Sequence, residues 1–348
     1  MGGSINELKF GLVGNSRTGL AYALACKELE NLRLTCICGR NPDRPPKVAP
    51  ANTYDGIDEL LGSGDCDALI IATSLENRSA LAMQALEKGF SVLVVGLVSE
   101  VAEQAEKLAA VVAKSRGKLL CCPSRPLRFA PRWQKLKELT EGAFGRPYRI
   151  HWTLTDRFRT EHSFIAGEGV EKLMEDTDAL TSQLTEELDL LLWLCGTPDQ
   201  VETLHCVGKH HDIQVEDEVL MCMAWEDGAT GTLVSSSGEV PGIDRLEMVS
   251  DRGMIVSEAN QPIRWSRCEI SAEEFSRTIK DSNERPSLWE IEIPMPKIDR
   301  DFFPKAVLSN FEKSFHLEGR TTANVQDDVD LLRFMDRMVA SKRPSKDF

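Results

Sequence analysis

No run of apolar residues in this 348-residue chain approaches the ~20 that a membrane-spanning helix requires, so a membrane span is excluded. Lysine and arginine form no sustained basic stretch, and the formal net charge of −14 with a pI near 5.0 would repel a phosphate backbone. Nucleic acid is thereby excluded as a partner. The opening residues MGGSINELKF lack a basic stretch followed by an apolar core, so the expected location is cytoplasmic and reducing. The ten cysteines form no C-x-x-C: there is one C-x-C, Cys36 and Cys38, and one vicinal pair, Cys121 and Cys122. They read as reduced thiols packed as small hydrophobes. No second histidine or carboxylate stands at ligand spacing, so no metal site is expected. Internal repeats and low-complexity tracts are missing as well.

What remains is ordinary globular composition, 42% hydrophobic and 28% charged, in a chain longer than the ~100–150 residues of one usual core. Two domains are expected. In the first third, LKFGLVG (8–14), LRLTCIC (32–38), DALIIAT (67–73), SVLVV (91–95) and KLLCC (118–122) predict strands, with helices over 17–30, 57–61, 79–88 and 100–115. That alternation is the pattern of an α/β doubly wound parallel sheet, placed at 1–124. The proline-rich NPDRPPKVAP (41–50) must be loop.

The pattern changes near 123–131, and residues 125–348 are expected to form a second α/β domain. A linking helix over 129–142 ends at a glycine. PYRIHWTLT, VETLHCV, EVLMCMAW, TGTLVSSS and RLEMVS then predict a large open, mostly antiparallel sheet, with Glu226-Asp227-Gly228 as one of its turns. A helix over 179–195 interrupts the strands. Two final helices within 302–341, separated by a turn at 318–320, are free to pack back on the first domain.

The first strand runs into Gly11-Leu12-Val13-Gly14-Asn15-Ser16-Arg17-Thr18-Gly19, a G-x-G-x-x-G pattern whose middle glycine is Ser16. Gly14 can make the tight turn, Gly19 lets helix and strand pack closely, and the helix N-terminus offers free N–H groups to a pyrophosphate. Gly11, Gly14, Asn15, Ser16, Arg17, Thr18 and Gly19 are therefore candidate dinucleotide-binding residues of a Rossmann domain. Ser16 adds a side chain where the backbone should approach the phosphates. At the end of the second strand, where an acid would hold the ribose hydroxyl of NAD, the chain reads Cys38-Gly39-Arg40-Asn41. Gly39, Arg40 and Asn41 suit the 2′-phosphate of NADP better, because no carboxylate repels it and Arg40 can pair with it.

The run LIIATSLENRSALAMQALEKGFSVLVV (69–95) resembles the hallmark stretch of the Gfo/Idh/MocA oxidoreductases, approximately IATPxxxH…A…AL…GKHVxxEKP. The likeness continues through RPLRFAPRWQKLKELTEGAFGRPYRI (125–150), LDLLLWLCGTPDQVE (188–202), VEDEVLM…WEDGATGTL (215–233) and the final helices, nearly the whole chain. It implies a nicotinamide cofactor with Ala72, Thr73, Ser74, Asn77, Val95 and Gly96 beside it, and a homo-oligomer through the second sheet. It also implies a small-molecule substrate approached by Arg125 and Arg128. His151 belongs with these, since strand alternation could aim it at substrate, while His162 falls in the loop that normally covers it. Lys209, His210 and His211 read as turn polarity.

Where the family carries Glu-Lys-Pro this chain has Val95, Gly96 and Leu97, so the lysine that usually contacts the reacting oxygen is absent. The D-x-x-x-H-x-x-D pattern becomes Ser182, Glu186 and Asp189, still on one helix face. The proline and histidine after IAT are Ser74 and Arg78. A carbinol proton must move with the hydride, which leaves Glu186 and Asp189 as the candidate catalytic residues. Three functions stay open. The first is an NAD(P)-dependent oxidoreductase of a sugar, polyol or related carbonyl compound; the second is a non-catalytic dinucleotide- or ligand-binding regulator, with a cofactor or none; the third is an NAD-dependent glycosidase.

Overall fold

The computed structural model describes residues 7–14, 16–39, 52–162, 183–281, 283–299, 301–317 and 321–344. The chain divides into two compact units, residues 1–130 with 298–333 and residues 131–297 with 334–348.

In the first unit six parallel strands lie in the order β3-β2-β1-β4-β5-β6. They are β1 (Leu8–Val13), β2 (Leu32–Cys38), β3 (Asn52–Tyr54), β4 (Ala68–Ile71), β5 (Ser91–Val94) and β6 (Cys121–Pro123). The crossovers are α1 (Arg17–Cys26), α2 (Ile57–Ser63), α3 (Leu75–Glu87) and α4 (Ala102–Lys114). Near-continuous apolar runs such as Ala68–Ile71, with every residue buried, suit strands covered on both faces. One face packs Leu60, Leu69, Ile71, Val92 and Leu108 together, the other Phe10, Leu12, Tyr22, Ile70 and Leu93.

Several boundaries differ from the sequence pattern. Helix α1 stops at Cys26 because the chain turns at Lys27, whose N–H returns to Leu24 and Ala25, and the following residues feed β2. Helix α3 starts four residues earlier than its apolar spacing indicates, directly after Ser74. The helix expected over 129–142 is a 3-10 turn, Pro126–Phe129, followed by α5 (Pro131–Glu141). Pro131 explains the break, since proline suits a first helical position and not an interior one. The short edge strand β3 follows the proline-rich segment and was not legible in it.

Helix α8 (Phe302–Leu317) belongs to the first unit. Val307, Leu308 and Phe311 enter the second apolar cluster, with the Phe311 ring 5.5 Å from that of Phe10. The division between units falls inside the last helix, α9 (Val325–Ala340).

The second unit is built on a nine-stranded sheet in the order β14-β13-β12-β11-β7-β10-β9-β8-β15. Its strands are β7 (Arg149–Leu154), β8 (Gln200–Val207), β9 (Glu216–Ala224), β10 (Thr230–Ser236), β11 (Asp244–Ser250), β12 (Gly253–Glu258), β13 (Ile263–Cys268), β14 (Leu288–Ile293) and β15 (Lys342–Pro344). All pairs are antiparallel except β7 with β10 and β8 with β15. Alternation sets the faces: Ile150, Trp152 and Leu154 are buried while Arg149, His151 and Thr153 point the other way. Helix α6 (Thr185–Cys195) and the short α7 (Ala272–Thr278) complete the unit. The ten cysteines are free thiols, eight of them buried. No described helix is long and apolar enough to cross a membrane.

Candidate functional site

Two turns meet at the carboxyl end of β1. Gly14 has φ +99°, and a methyl group there would stand 2.5 Å from the Ala72 carbonyl oxygen, so only glycine fits. A methyl at Gly19 would fall 2.5 Å from the Ala72 methyl, which is why helix α1 can lie this close to β4. Gly39, with φ +80°, brings the end of β2 alongside, and the Gly14 N–H donates to the Cys38 carbonyl at 3.0 Å. Gly11 lies elsewhere, inside β1, where a methyl would press on the thiols of Cys36 and Cys66. Its absent side chain makes room in the sheet.

Ser16 is the N-cap of α1. Its hydroxyl accepts from the Gly19 N–H at 3.0 Å, so the side chain folds back into the helix instead of standing over the turn. The amides of Arg17 and Thr18, which have no intrahelical acceptors, remain at the helix end. A glycine cradle closed by Ala72 and a helix N-terminus fit a pyrophosphate. Asn15, Arg40 and Asn41 lie outside the described residues.

At the ends of β4 and β5 the structure brings together Thr73, Ser74, Asn77, Arg78 and Gly96. Asn77 donates to the Ser74 hydroxyl at 2.9 Å, and both are exposed. From the first turn of α3, the Arg78 guanidinium donates through Nε to the Thr73 carbonyl at 3.0 Å and through Nη1 to the Leu97 carbonyl at 3.1 Å. Gly96 has φ +89°, and a methyl there would stand 2.9 Å from Arg78 Nη1. Arg78 therefore fills the space that a side chain at 96 would enter. Burial pulls its guanidinium below the ordinary arginine value, with Asp328 opposing and Arg125 adding to that shift.

Arg125 and Arg128, expected near substrate, are locked inside the first unit. Arg125 forms a fully buried ion pair with Asp328, whose second oxygen accepts the Val98 N–H at 2.7 Å. Arg128 donates to the Thr322 carbonyl at 2.7 Å and stands 3.5 Å from Asp327. Both acids sit in the first turn of α9, where the helix dipole favours negative charge.

In the second unit, Glu186 is half-buried in the first turn of α6, and Asp189 is 1% exposed. Ser182 lies outside the described residues. The next residue, Glu187, is the one that sequence reasoning passed over. It is 3% exposed and paired with Arg157, which also donates to the Gln183 carbonyl at 3.0 Å. Burial pushes the Glu187 carboxyl up, Arg157 opposes, and Asp244 adds to the rise. Helix phase could have found it, because Glu187 lies three residues after Leu184 and four before Leu191 on the apolar face. Asp244 receives both terminal nitrogens of Arg132 and the Trp152 indole N–H at 3.0 Å. His151 lies on the opposite sheet face, bonded to the Thr232 hydroxyl at 2.5 Å. The Lys209-His210-His211 turn wraps Asp217, which accepts all three backbone N–H groups and His211 Nδ1. His162 is exposed. Among the described residues no group of three metal-ligating side chains comes together.

Residues 8–121 match the model described as "Oxidoreductase family, NAD-binding Rossmann fold", and residues 133–256 match the "GFO/IDH/MocA C-terminal domain". The chain belongs to the Gfo/Idh/MocA oxidoreductase family. Among curated relatives, inositol 2-dehydrogenase 2 of Paenarthrobacter aurescens is 25% identical over 64% of this chain and 66%, just under two thirds, of its own length. Inositol 2-dehydrogenase of Acidothermus cellulolyticus is 24% identical over 74% of each. Among solved structures, the WlbA dehydrogenase of Bordetella pertussis, in complex with NADH and UDP-GlcNAcA, has a TM-score of 0.76 at 18% identity, covering 97% of this chain and 95% of that one. Within this Gfo/Idh/MocA member, the glycine turn at Gly14 and Gly19 lies beside strand ends that carry Arg78 and Gly96.

Proposed function

We propose that this protein is an NAD(P)-dependent oxidoreductase acting on a sugar, polyol or related carbonyl compound. The observation that carries this is the turn at Gly14, Ser16 and Gly19, where the serine hydroxyl caps α1 and leaves the phosphate cradle open. The named activity of the inositol dehydrogenase relatives supports the substrate class. The bound dinucleotide supplies hydride chemistry; the chain's own residues must orient substrate and move a proton.

Gly39 and Arg40 follow β2 in the sequence, where an acid would hold the ribose hydroxyl of NAD, which favours NADP over NAD. Arg40→Ala is expected to weaken NADPH binding more than roughly tenfold and leave NADH binding unchanged; equal effects on both would remove the assignment. Glu186, half-buried where the family uses histidine, is the proton-transfer group, and the buried Asp189 one turn on helps to position it. Glu186→Gln should abolish turnover while sparing cofactor affinity. Unaltered turnover would take Glu186 out of the site.

One observation favours a second possibility, a non-catalytic binder. An arginine held by two carbonyls stands where the family's lysine would reach, and a guanidinium does not release a proton near neutral pH. Retention of dinucleotide binding with no turnover on any polyol or sugar would select it.

A further inference from the structure

Arg78 is a cation whose charge the first unit does not neutralise. Among the described residues its hydrogen bonds go to two carbonyls, Thr73 and Leu97, and no carboxylate lies within ion-pair distance of it. The acid that influences it, Asp328, is already committed to Arg125 and to the Val98 N–H. Two guanidinium groups thus share one carboxylate around the ends of β4 and β5. Removing charge from water without a partner is costly, so a half-buried excess cation is best explained by an anion that completes it.

The position suits a ligand. In doubly wound sheets ligands bind beyond the carboxyl ends of the strands, and here the first turn of α3 adds its own positive end. With Nε and one hydrogen of Nη1 engaged, the remaining N–H groups of Nη1 and Nη2 form the planar fork that receives two oxygens side by side. Glycine at 96 keeps that approach clear, since a side chain there would collide with Nη1.

We propose that Arg78 binds the carboxylate of an acidic ligand, making this a member of its family specialised for a sugar acid or similar hydroxy acid. The assignment refines the polyol or sugar substrate proposed above and rests on the strand ends being the ligand site. Arginine serves here as an anchor and not as the proton-transfer group that lysine can be.

The test is calorimetric titration of the full chain with D-glucuronate, D-gluconate and L-tartrate, against D-glucose and inorganic phosphate as neutral and non-carboxylate controls. At least one carboxylate should bind, tenfold or more tightly than glucose. Arg78→Gln should weaken it at least tenfold, and Arg78→Lys, which keeps the charge but loses the fork, should fall between; thermal unfolding checks that both variants fold. No carboxylate binding to the unaltered chain, or equal binding to Arg78→Gln, would overturn the proposal, as would phosphate binding as tightly with the same dependence on Arg78. NADPH titration of the same samples separates the two ideas: its failure removes the oxidoreductase function, whereas Arg78-dependent carboxylate binding stands or falls by itself.

Discussion

The turn between β1 and α1 and the ends of β4 and β5 lie on the same edge of one sheet, yet they have been held to different rules. At the turn, demands come from the backbone: φ +99° at Gly14 and contact distances near 2.5 Å to Ala72 leave no freedom of residue choice. At the strand ends the demands are about charge, and charge can be relocated. Gly96 leaves open a space that the Arg78 guanidinium, delivered from a neighbouring helix, fills instead. Backbone geometry therefore dictates residue choice at the turn, while at the strand ends a glycine and an arginine side chain share one space.

Three variants probe this contrast between backbone and charge. The largest effect is expected from Arg125→Ala, which would leave Asp328 buried without its cation and cost about 3–5 kcal/mol of stability by denaturant unfolding. A loss near zero would mean that Arg78 swings over to Asp328, and that the two arginines are interchangeable. Gly14→Ala comes next, at about 1–3 kcal/mol, because its strain falls on a backbone carbonyl that cannot yield. It should also abolish dinucleotide binding, and retained binding would show that the turn is not the cofactor cradle. Ser16→Ala is the mildest, costing about 1 kcal/mol for the lost cap with little change in dinucleotide affinity. A large gain in affinity would mean instead that the hydroxyl obstructs the phosphates.

What could be read in the sequence follows the same divide. Gly14, Gly19 and the apolar strands were legible because their signals are local: spacing, period and turn chemistry fix them within a few residues. The orientation of Ser16 was not, since the same hydroxyl could face the helix or the solvent and its χ1 rotamer on the cap backbone decides. Arg125 and Arg128 were placed at substrate because nothing local marks Asp327 and Asp328, some two hundred residues away, as their partners. Gly96 was visible in the sequence, but the Arg78 guanidinium that stands against it needed the third dimension. Glu187 differs, for the leucine spacing around it already placed it on the buried face. Strands β13 and β14 were missed because their exposed positions carry arginine and glutamate, Arg264, Arg267, Glu290 and Glu292, which dilute the apolar alternation.

We propose that the turn at Gly14, Ser16 and Gly19 is a working nucleotide cradle. Its most direct test is calorimetric titration of the cofactor-stripped protein with NADPH and then NADH. Micromolar binding, tighter for NADPH and lost in Gly14→Ala, is the predicted result. Absence of binding to either nucleotide in the unaltered protein would contradict it.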